Sequence, residues 1–276
     1  MRRRIAMITA LATAAVSVAA CSSSKSSSGS STSGSSTSTG AGASSSSAPA
    51  LSGTVTVFAA ASLTEAFTAI AKQFEAANPG VTVRLSFDAS SALATQITQG
   101  APVDVFASAS AKNMAQVVGA GGASTSTSTN FAKNVMEVAV PPSNPAGITS
   151  VNDLAKSGVK VALCQPQVPC GATAQKVFVN AKITVKPVTL EPDVKSTLAK
   201  VELDEVDAGM VYVTDVRAAG AKVKGITIDP SVNASTEYPI AALTKAANAA
   251  GAQAFTAYVL SAAGQAVLAA DGFEKP

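Results

Sequence analysis

Four short stretches place capping groups where helices should begin: Ser62-Leu63-Thr64-Glu65, Ser90-Ser91-Ala92-Leu93, Val168-Pro169-Cys170-Gly171 and Glu191-Pro192-Asp193-Val194. The first turn of a helix carries N–H groups with no intrahelical partner and behaves as roughly half a positive charge. Four such ends aimed at one point offer on the order of two positive charges, enough for a dianion without any Lys or Arg. Serine hydroxyls add donors that rotate to suit. Taken singly, Ser62, Ser90 and Asp193 are also ordinary helix caps, and Ser62 with Glu65 has the S-x-x-E spacing of a capping box. Ser91 reads as a further cap behind Ser90, and Thr64 and Glu65 as caps of their own helix.

The same inventory argues against catalysis. The chain has no histidine, which removes Ser-His-Asp and Cys-His mechanisms and histidine-ligated zinc or haem. An exported hydrolase using Ser62 or Ser90 would need a lysine base, and Lys72 and Lys112 are the nearby candidates. Glu202, Asp204, Glu205 and Asp207 have no EF-hand spacing and read as a solvated helix end. Tyr212, between Val211 and Val213, reads on its own as a half-buried strand residue.

The elements that must position these groups alternate between short apolar runs and helical patterns. Thr54 to Ala60 reads as a buried strand. Ser62 to Ala77 puts Leu63, Ala66, Phe67, Ile70, Ala71 and Phe74 on one helical face before Asn78-Pro79-Gly80. Strands are expected at Val81–Phe87, Asp104–Ala109, Asn134–Val140, Val159–Leu163, Ile183–Leu190, Gly209–Val213, Gly225–Ile228 and Tyr238–Leu243. Helices are expected at Ser90–Gln99, Ala111–Val118, Ser150–Lys156, Gly171–Asn180, Asp193–Leu203 and Thr214–Ala219, with one long Ala-rich helix over 249–270. Strand, helix, strand in this order implies parallel pairing through right-handed crossovers, with ligands collecting at the carboxyl ends of the strands.

The first fifty residues are of another kind. Arg2, Arg3 and Arg4 precede an apolar stretch from Ile5 to Ala20, which ends Val18-Ala19-Ala20-Cys21. This reads as an export signal over residues 1–20 with an acylated Cys21, the alternative being a plain secretory signal. Residues 22–50 contain 16 Ser, 3 Thr, 4 Gly and 4 Ala, too little apolar surface for a core, so 21–50 reads as a disordered tether or an O-glycosylated stalk. Such a tether keeps a cell-surface interaction protein in view as a reading. Four of the 20 Lys+Arg precede residue 51, leaving 16 against 17 Asp+Glu. A body this close to neutral gives no basic surface for nucleic acid. Export puts Cys164 and Cys170 in an oxidising compartment, where the seven-residue loop they close is expected to form a disulfide worth roughly 2 to 3 kcal/mol.

The run Thr56-Val57-Phe58-Ala59-Ala60-Ala61-Ser62-Leu63-Thr64, then Phe87-x-x-Ser90-Ser91-x-Leu93-x-x-Gln96-Ile97 and Gly100-Ala101-Pro102-x-Asp104-Val105-Phe106, resembles the molybdate-binding proteins of bacterial ABC importers. The resemblance continues through Val168-Pro169-x-Gly171, Asp193-Val194, Gly209-x-Val211-Tyr212 and Glu237-Tyr238-Pro239. It implies an α/β, two-lobed type II periplasmic-binding fold, each lobe a mainly parallel sheet flanked by helices, with a tetrahedral oxyanion in the cleft between them. Lobe 1 would comprise 51–137 and 238–276, and lobe 2 residues 138–237. It further implies hydroxyl and N–H contacts from Ser62 and Ser90, backbone N–H donors at Cys170 and Val194, and a hydroxyl donor at Tyr212. These would hold molybdenum only as its oxyanion, molybdate or tungstate, with no direct metal ligand and no cofactor. The partners implied are the membrane permease subunits of an ABC transporter, met by a monomer anchored at the outer face of the membrane; a sulfate or thiosulfate receptor is the nearest rival. Cys170 stands where the family usually has Ala. Asp88 stands where a small residue is usual, so its carboxylate is expected to point away from the anion.

Overall fold

The computed structural model describes residues 50–276. The export signal, Cys21 and all of the Ser-rich segment but Ala50 lie outside the described residues.

The first strand, β1 (Gly53–Ala60), buries Val55, Val57 and Ala59 completely, as a strand covered on both faces should. A 3-10 turn over Ala61–Leu63 leads into α1 (Thr64–Ala77), whose apolar stripe Ala66, Phe67, Ile70, Ala71 and Phe74 is buried as the 3.6-residue period requires. Then come β2 (Val81–Asp88), α2 (Ser90–Thr98), β3 (Val105–Ala107), α3 (Ala111–Gly119) and the long strand β4 (Thr129–Val140). After a 3-10 turn at Val151–Ala155 follow β5 (Val161–Cys164), α4 (Pro169–Ala181), β6 (Thr189–Glu191), α5 (Val194–Glu202), β7 (Ala208–Tyr212), α6 (Val213–Ala219) and β8 (Lys224–Thr227). The chain closes with β9 (Ser235–Ala242), α7 (Ala249–Leu260) and α8 (Ala262–Asp271).

The strands run in the order β2-β1-β3-β9-β4-β7-β5-β6, with β8 also paired to β4. The pairs β1–β2, β1–β3, β5–β6 and β5–β7 are parallel. Every antiparallel pairing involves β4 or β9. These two strands join the halves: β4 pairs with β9 up to Val135 and with β7 and β8 from Met136 onward. The result is a two-lobed α/β protein. One core gathers Val57, Phe67, Phe74, Phe131, Tyr238 and Phe255, a second gathers Val138, Leu163, Val177, Val201 and Met210, and a smaller third gathers Leu93, Phe106, Met114 and Val117.

Several elements differ from the sequence reading: the helix expected at Ser150–Lys156 is the 3-10 turn Val151–Ala155, and the last strand begins at Ser235 instead of Tyr238. The strand expected at Ile183–Leu190 is confined to Thr189–Glu191, because Lys182 turns left-handed at the end of α4 (φ 56°) and Pro187 supplies no donor. The single Ala-rich terminal helix is broken at Ser261, whose extended backbone ends α7 and whose hydroxyl caps α8 at the Gly264 N–H. Strand β4 starts at Thr129 instead of Asn134, its alternation hidden by a bulge between Asn130 and Ala132. Asp104 precedes β3 rather than joining it, and its carboxylate accepts from the N–H groups of Thr56 at 2.7 Å and Asn248 at 3.0 Å.

Candidate functional site

One pocket lies where the carboxyl ends of the strands from both lobes meet. Its walls are Ala60, Ala61, Ser62, Ala89, Ser90 and Ala109 on the first lobe and Pro169, Cys170, Asp193, Val194 and Tyr212 on the second. All five residues singled out from the sequence, Ser62, Ser90, Cys170, Val194 and Tyr212, line it. Its cavity volume is about 20 Å³, little more than the roughly 10 to 15 Å³ that one water needs and far below the roughly 300 to 1,000 Å³ of sites for organic ligands. A single small ion suits it better.

Four backbone turns start at this pocket: the 3-10 turn at Ala61, α2 at Ser90, α4 at Pro169 and α5 at Val194. Their first N–H groups have no intrahelical acceptor. Proline at the first position of α4 costs no hydrogen bond there. Gly171 is required next, since a Cβ on it would sit 2.1 Å from the Gln165 carbonyl oxygen. The same turn is joined to the end of β5 by a disulfide between Cys164 and Cys170.

The two serines are not helix caps. Residue Ala89, not Ser90, occupies the cap position of α2, and Leu63, not Ser62, that of α1, neither with a side-chain cap bond. The proposed Ser62–Glu65 capping box is therefore absent, because the 3-10 turn shifts the helix start past Ser62. Thr64 instead bonds back to the Ala61 carbonyl at 2.6 Å, and Glu65 reaches Lys195. Ser91 makes no cap bond either; its carbonyl accepts from Thr95. Freed from capping, Ser90 Oγ accepts the Ala109 N–H at 2.9 Å, and its own proton has no acceptor among the described residues. Ser62 Oγ lies 2.8 Å from Tyr238 Oη, which is in turn 3.5 Å from the amide of Asn134. Asn134 also donates to Thr214 Oγ1 at 2.8 Å. A donor chain running Asn134, Tyr238, Ser62 leaves the Ser62 proton for the pocket.

Tyr212 is 1% exposed and its hydroxyl makes no hydrogen bond of full geometry among the described residues; the neighbouring Thr173 hydroxyl, which acts on it only weakly, donates to the Pro169 carbonyl at 2.8 Å. An orphaned buried donor is costly unless something in the cavity accepts from it. Burial first, with the neighbouring Tyr238 adding to it, holds the phenol well above its ordinary pKa, so it stays protonated. Tyr238 contributes to the site from behind Ser62 and was not singled out from the sequence as a contact; its place within Glu237-Tyr238-Pro239 was the available signal.

No cation lines the pocket, and Asp193 is its one charged residue. Its carboxylate is turned onto its own helix, accepting from the N–H and hydroxyl of Ser196 at 2.9 and 2.8 Å. Asp193 is thus a true N-cap. Asp88 is not among the residues lining the pocket; it lines a neighbouring hollow that shares Ala61 and Asp193 with it, and accepts from the Ala89 N–H at 2.6 Å. Lys72 and Lys112 are exposed on α1 and α3 and do not line the pocket; the Ser-Lys pair required of a hydrolase is not formed. Of the acidic run, Glu205 pairs with Lys200 at 2.6 Å and Asp207 accepts from the Lys160 N–H, and no group of metal-ligating side chains occurs among the described residues.

Just outside the pocket, Asp215 is fully buried and Lys195 lies 3.3 Å from it. Burial pushes the Asp215 carboxyl up to about 6, with Lys195 and the Tyr212 N–H opposing the rise. Desolvation lowers the Lys195 ammonium, but the charges of Asp215 and Glu65 outweigh it and leave it raised.

Two lobes closing on a small pocket of neutral donors define a binding protein for an anionic solute. Residues 55–274 match the family described as bacterial extracellular solute-binding protein, and the chain belongs to that family. It is 43% identical over 223 residues to the molybdate-binding protein ModA of Mycobacterium tuberculosis, covering 81% of this chain and 85% of that one. Among solved structures, the periplasmic molybdate-binding protein of Azotobacter vinelandii superposes with a TM-score of 0.70 at 21% identity, over 80% of this chain and 99% of the other. The sulfate-binding protein SubI of Mycobacterium tuberculosis also gives 0.70, at 19% identity over 80% and 86%. These relatives are solute-binding proteins rather than enzymes, and at such identities the two structures speak for the fold alone.

Proposed function

We propose that this protein captures molybdate, and tungstate with it, outside the cytoplasmic membrane and delivers it to the permease of an ABC importer. The observation that carries the reading is the cation-free pocket with an unpartnered Tyr212 hydroxyl, in a chain 43% identical to a molybdate-binding protein. The donors would be the hydroxyls of Ser62, Ser90 and Tyr212 and the N–H groups of Ser62, Ser90, Cys170 and Val194. They supply preorganised partial positive charge where water is excluded, and the ligand shifts the balance of open and closed lobes by its preference for the closed one. The lobes proposed are 51–137 with 238–276, and 138–237. The chain is proposed to act as a monomer, held to the membrane by an acylated Cys21 and the Ser-rich segment that follows.

Donors without acceptors discriminate against hydrogen phosphate, whose proton needs a buried acceptor. Sulfate has the same charge and the same lack of a proton as molybdate but shorter bonds, so the size of the pocket must separate them. Calorimetric titration with molybdate, sulfate and phosphate in separate runs tests this. Tight one-to-one binding of molybdate with sulfate silent supports the proposal, and equal binding of sulfate replaces it with a general oxyanion receptor. For the anchor, labelled fatty acid incorporated by the native chain and lost in Cys21→Ala is the expected result; label retained in Cys21→Ala removes it.

A further inference from the structure

Three charged side chains outside the pocket form a chain across the cleft. Lys195 Nζ lies 2.9 and 2.8 Å from the two carboxylate oxygens of Glu65, on α1 of the first lobe, and 3.3 Å from Asp215 Oδ1, on α6 of the second. Asp215 Oδ1 has no hydrogen-bond partner among the described residues besides this ionic contact. Lys195 is about a quarter exposed, so the pairing is only partly screened by water. Each member is tied to a donor of the pocket within three residues. Glu65 follows Ser62 by three, Lys195 directly follows Val194, and Asp215 follows Tyr212 by three and accepts its N–H at 3.1 Å. Helix α5 also packs on the Ala61–Leu63 turn that carries Ser62.

We propose that Lys195 is the latch of the closed state, a positioning residue that bridges Glu65 and Asp215 across the cleft and sets how long the bound oxyanion is held. Opening separates Lys195 from Glu65 but not from Asp215, because only Glu65 lies on the opposite lobe. The latch therefore acts on escape. Association proceeds through the open form, in which the bridge is already broken, and is left nearly unchanged. Lys195 has a second duty in either form: it balances the buried Asp215 charge beside a site meant for a dianion.

The proposal rests on the molybdate reading, and the test separates the two. Purified protein is loaded with radiolabelled molybdate and chased with excess unlabelled molybdate. Glu65→Gln, at a half-exposed position, is expected to raise the dissociation rate about tenfold, leave association within twofold and keep the melting temperature of the ligand-free protein. Lys195→Met is expected to raise dissociation at least as much, and the double variant no more than Lys195→Met alone. Because Lys195→Met strands a buried carboxylate, Lys195→Met with Asp215→Asn is the version that keeps the lobe folded. A dissociation rate unchanged in Glu65→Gln, or association slowed as much as dissociation is quickened, overturns the latch. If the wild-type protein holds no label, the molybdate reading fails, and the same chase with radiolabelled sulfate decides the latch. Faster release of sulfate from Glu65→Gln than from wild type supports it, and equal rates or no retained sulfate reject it.

Discussion

The two walls of the pocket provide the same commodity, neutral hydrogen-bond donors, by different means. On the first lobe the donors are the N–H groups of Ser62 and Ser90 joined by their hydroxyls, each hydroxyl held in place by a further bond, to Tyr238 and to the Ala109 N–H. On the second they are mainly backbone: the starts of α4 and α5 at Cys170 and Val194, held by Gly171, the Cys164–Cys170 disulfide and the Asp193 cap. A side-chain donor is lost by one truncation, whereas a backbone donor survives any substitution at its own position that keeps the turn. Damage to the first wall should come from the contact residues themselves, and damage to the second from residues that make no contact at all.

The largest effect should come from Gly171→Val. Its Cβ would meet the Gln165 oxygen at 2.1 Å and the Cys164 oxygen at 2.7 Å, forcing the start of α4 away and costing about 3 kcal/mol of stability by overpacking. Molybdate titration of the folded fraction should show the Cys170 contribution gone as well. Affinity and melting temperature both at the wild-type level would refute the backbone half of the comparison.

Next come Ser90→Ala and Ser62→Ala, each expected to weaken oxyanion binding by roughly 1.5 to 3 kcal/mol, the range for bonds to charged groups. Ser62→Ala should also lower the melting temperature more than Ser90→Ala, because it strips a buried phenol, Tyr238, of its nearest partner. Titration enthalpies identical to wild type in both variants would take the serines out of the site.

A somewhat smaller change is expected on opening the disulfide. Cys164→Ser with Cys170→Ser removes a six-residue separation from the cross-linked chain, worth about 2 kcal/mol by loop closure. Thermal denaturation should show that loss while molybdate binding persists, since the Cys170 N–H remains. Binding abolished in a folded double variant would mean that the sulfur bridge, and not the proline and glycine beside it, sets this turn.

The remaining effect is electrostatic and belongs to the second lobe. Asp215 has its carboxyl raised from 3.8 to about 6 by burial, so the folded state binds its proton more tightly than the unfolded chain. That contribution to stability is fully present below about pH 3.8 and is lost as the pH rises through about 6. Denaturant titrations should therefore show the wild type losing stability relative to Asp215→Asn across this interval. A difference that stays flat with pH would show that Lys195 compensates the charge fully.

The comparison also explains what could be read in advance. Apolar periodicity placed α1 and α2 because Phe67, Ile70, Leu93 and Ile97 fall on one face and are buried there. It failed where tertiary pairing governs. Ser235, Thr236 and Glu237 carry no apolar signal but belong to β9 because β4 runs beside them. The pocket was legible as four helix starts, yet the role of the serines was not. Whether Ser62 caps a helix or faces a cavity depends on one 3-10 turn, and its partner Tyr238 lies 176 residues away. The latch was hidden for the same reason, Glu65 and Lys195 being 130 residues apart.

The central claim is that a pocket of neutral donors with no cation holds a doubly charged oxyanion and sorts it by size. The most direct test is calorimetric titration of the purified protein with molybdate and then, in fresh samples, with sulfate. The account predicts one molybdate bound tightly per chain and no measurable heat from sulfate. Sulfate bound as tightly as molybdate would contradict selection by pocket size, and no heat from either would contradict the oxyanion site itself.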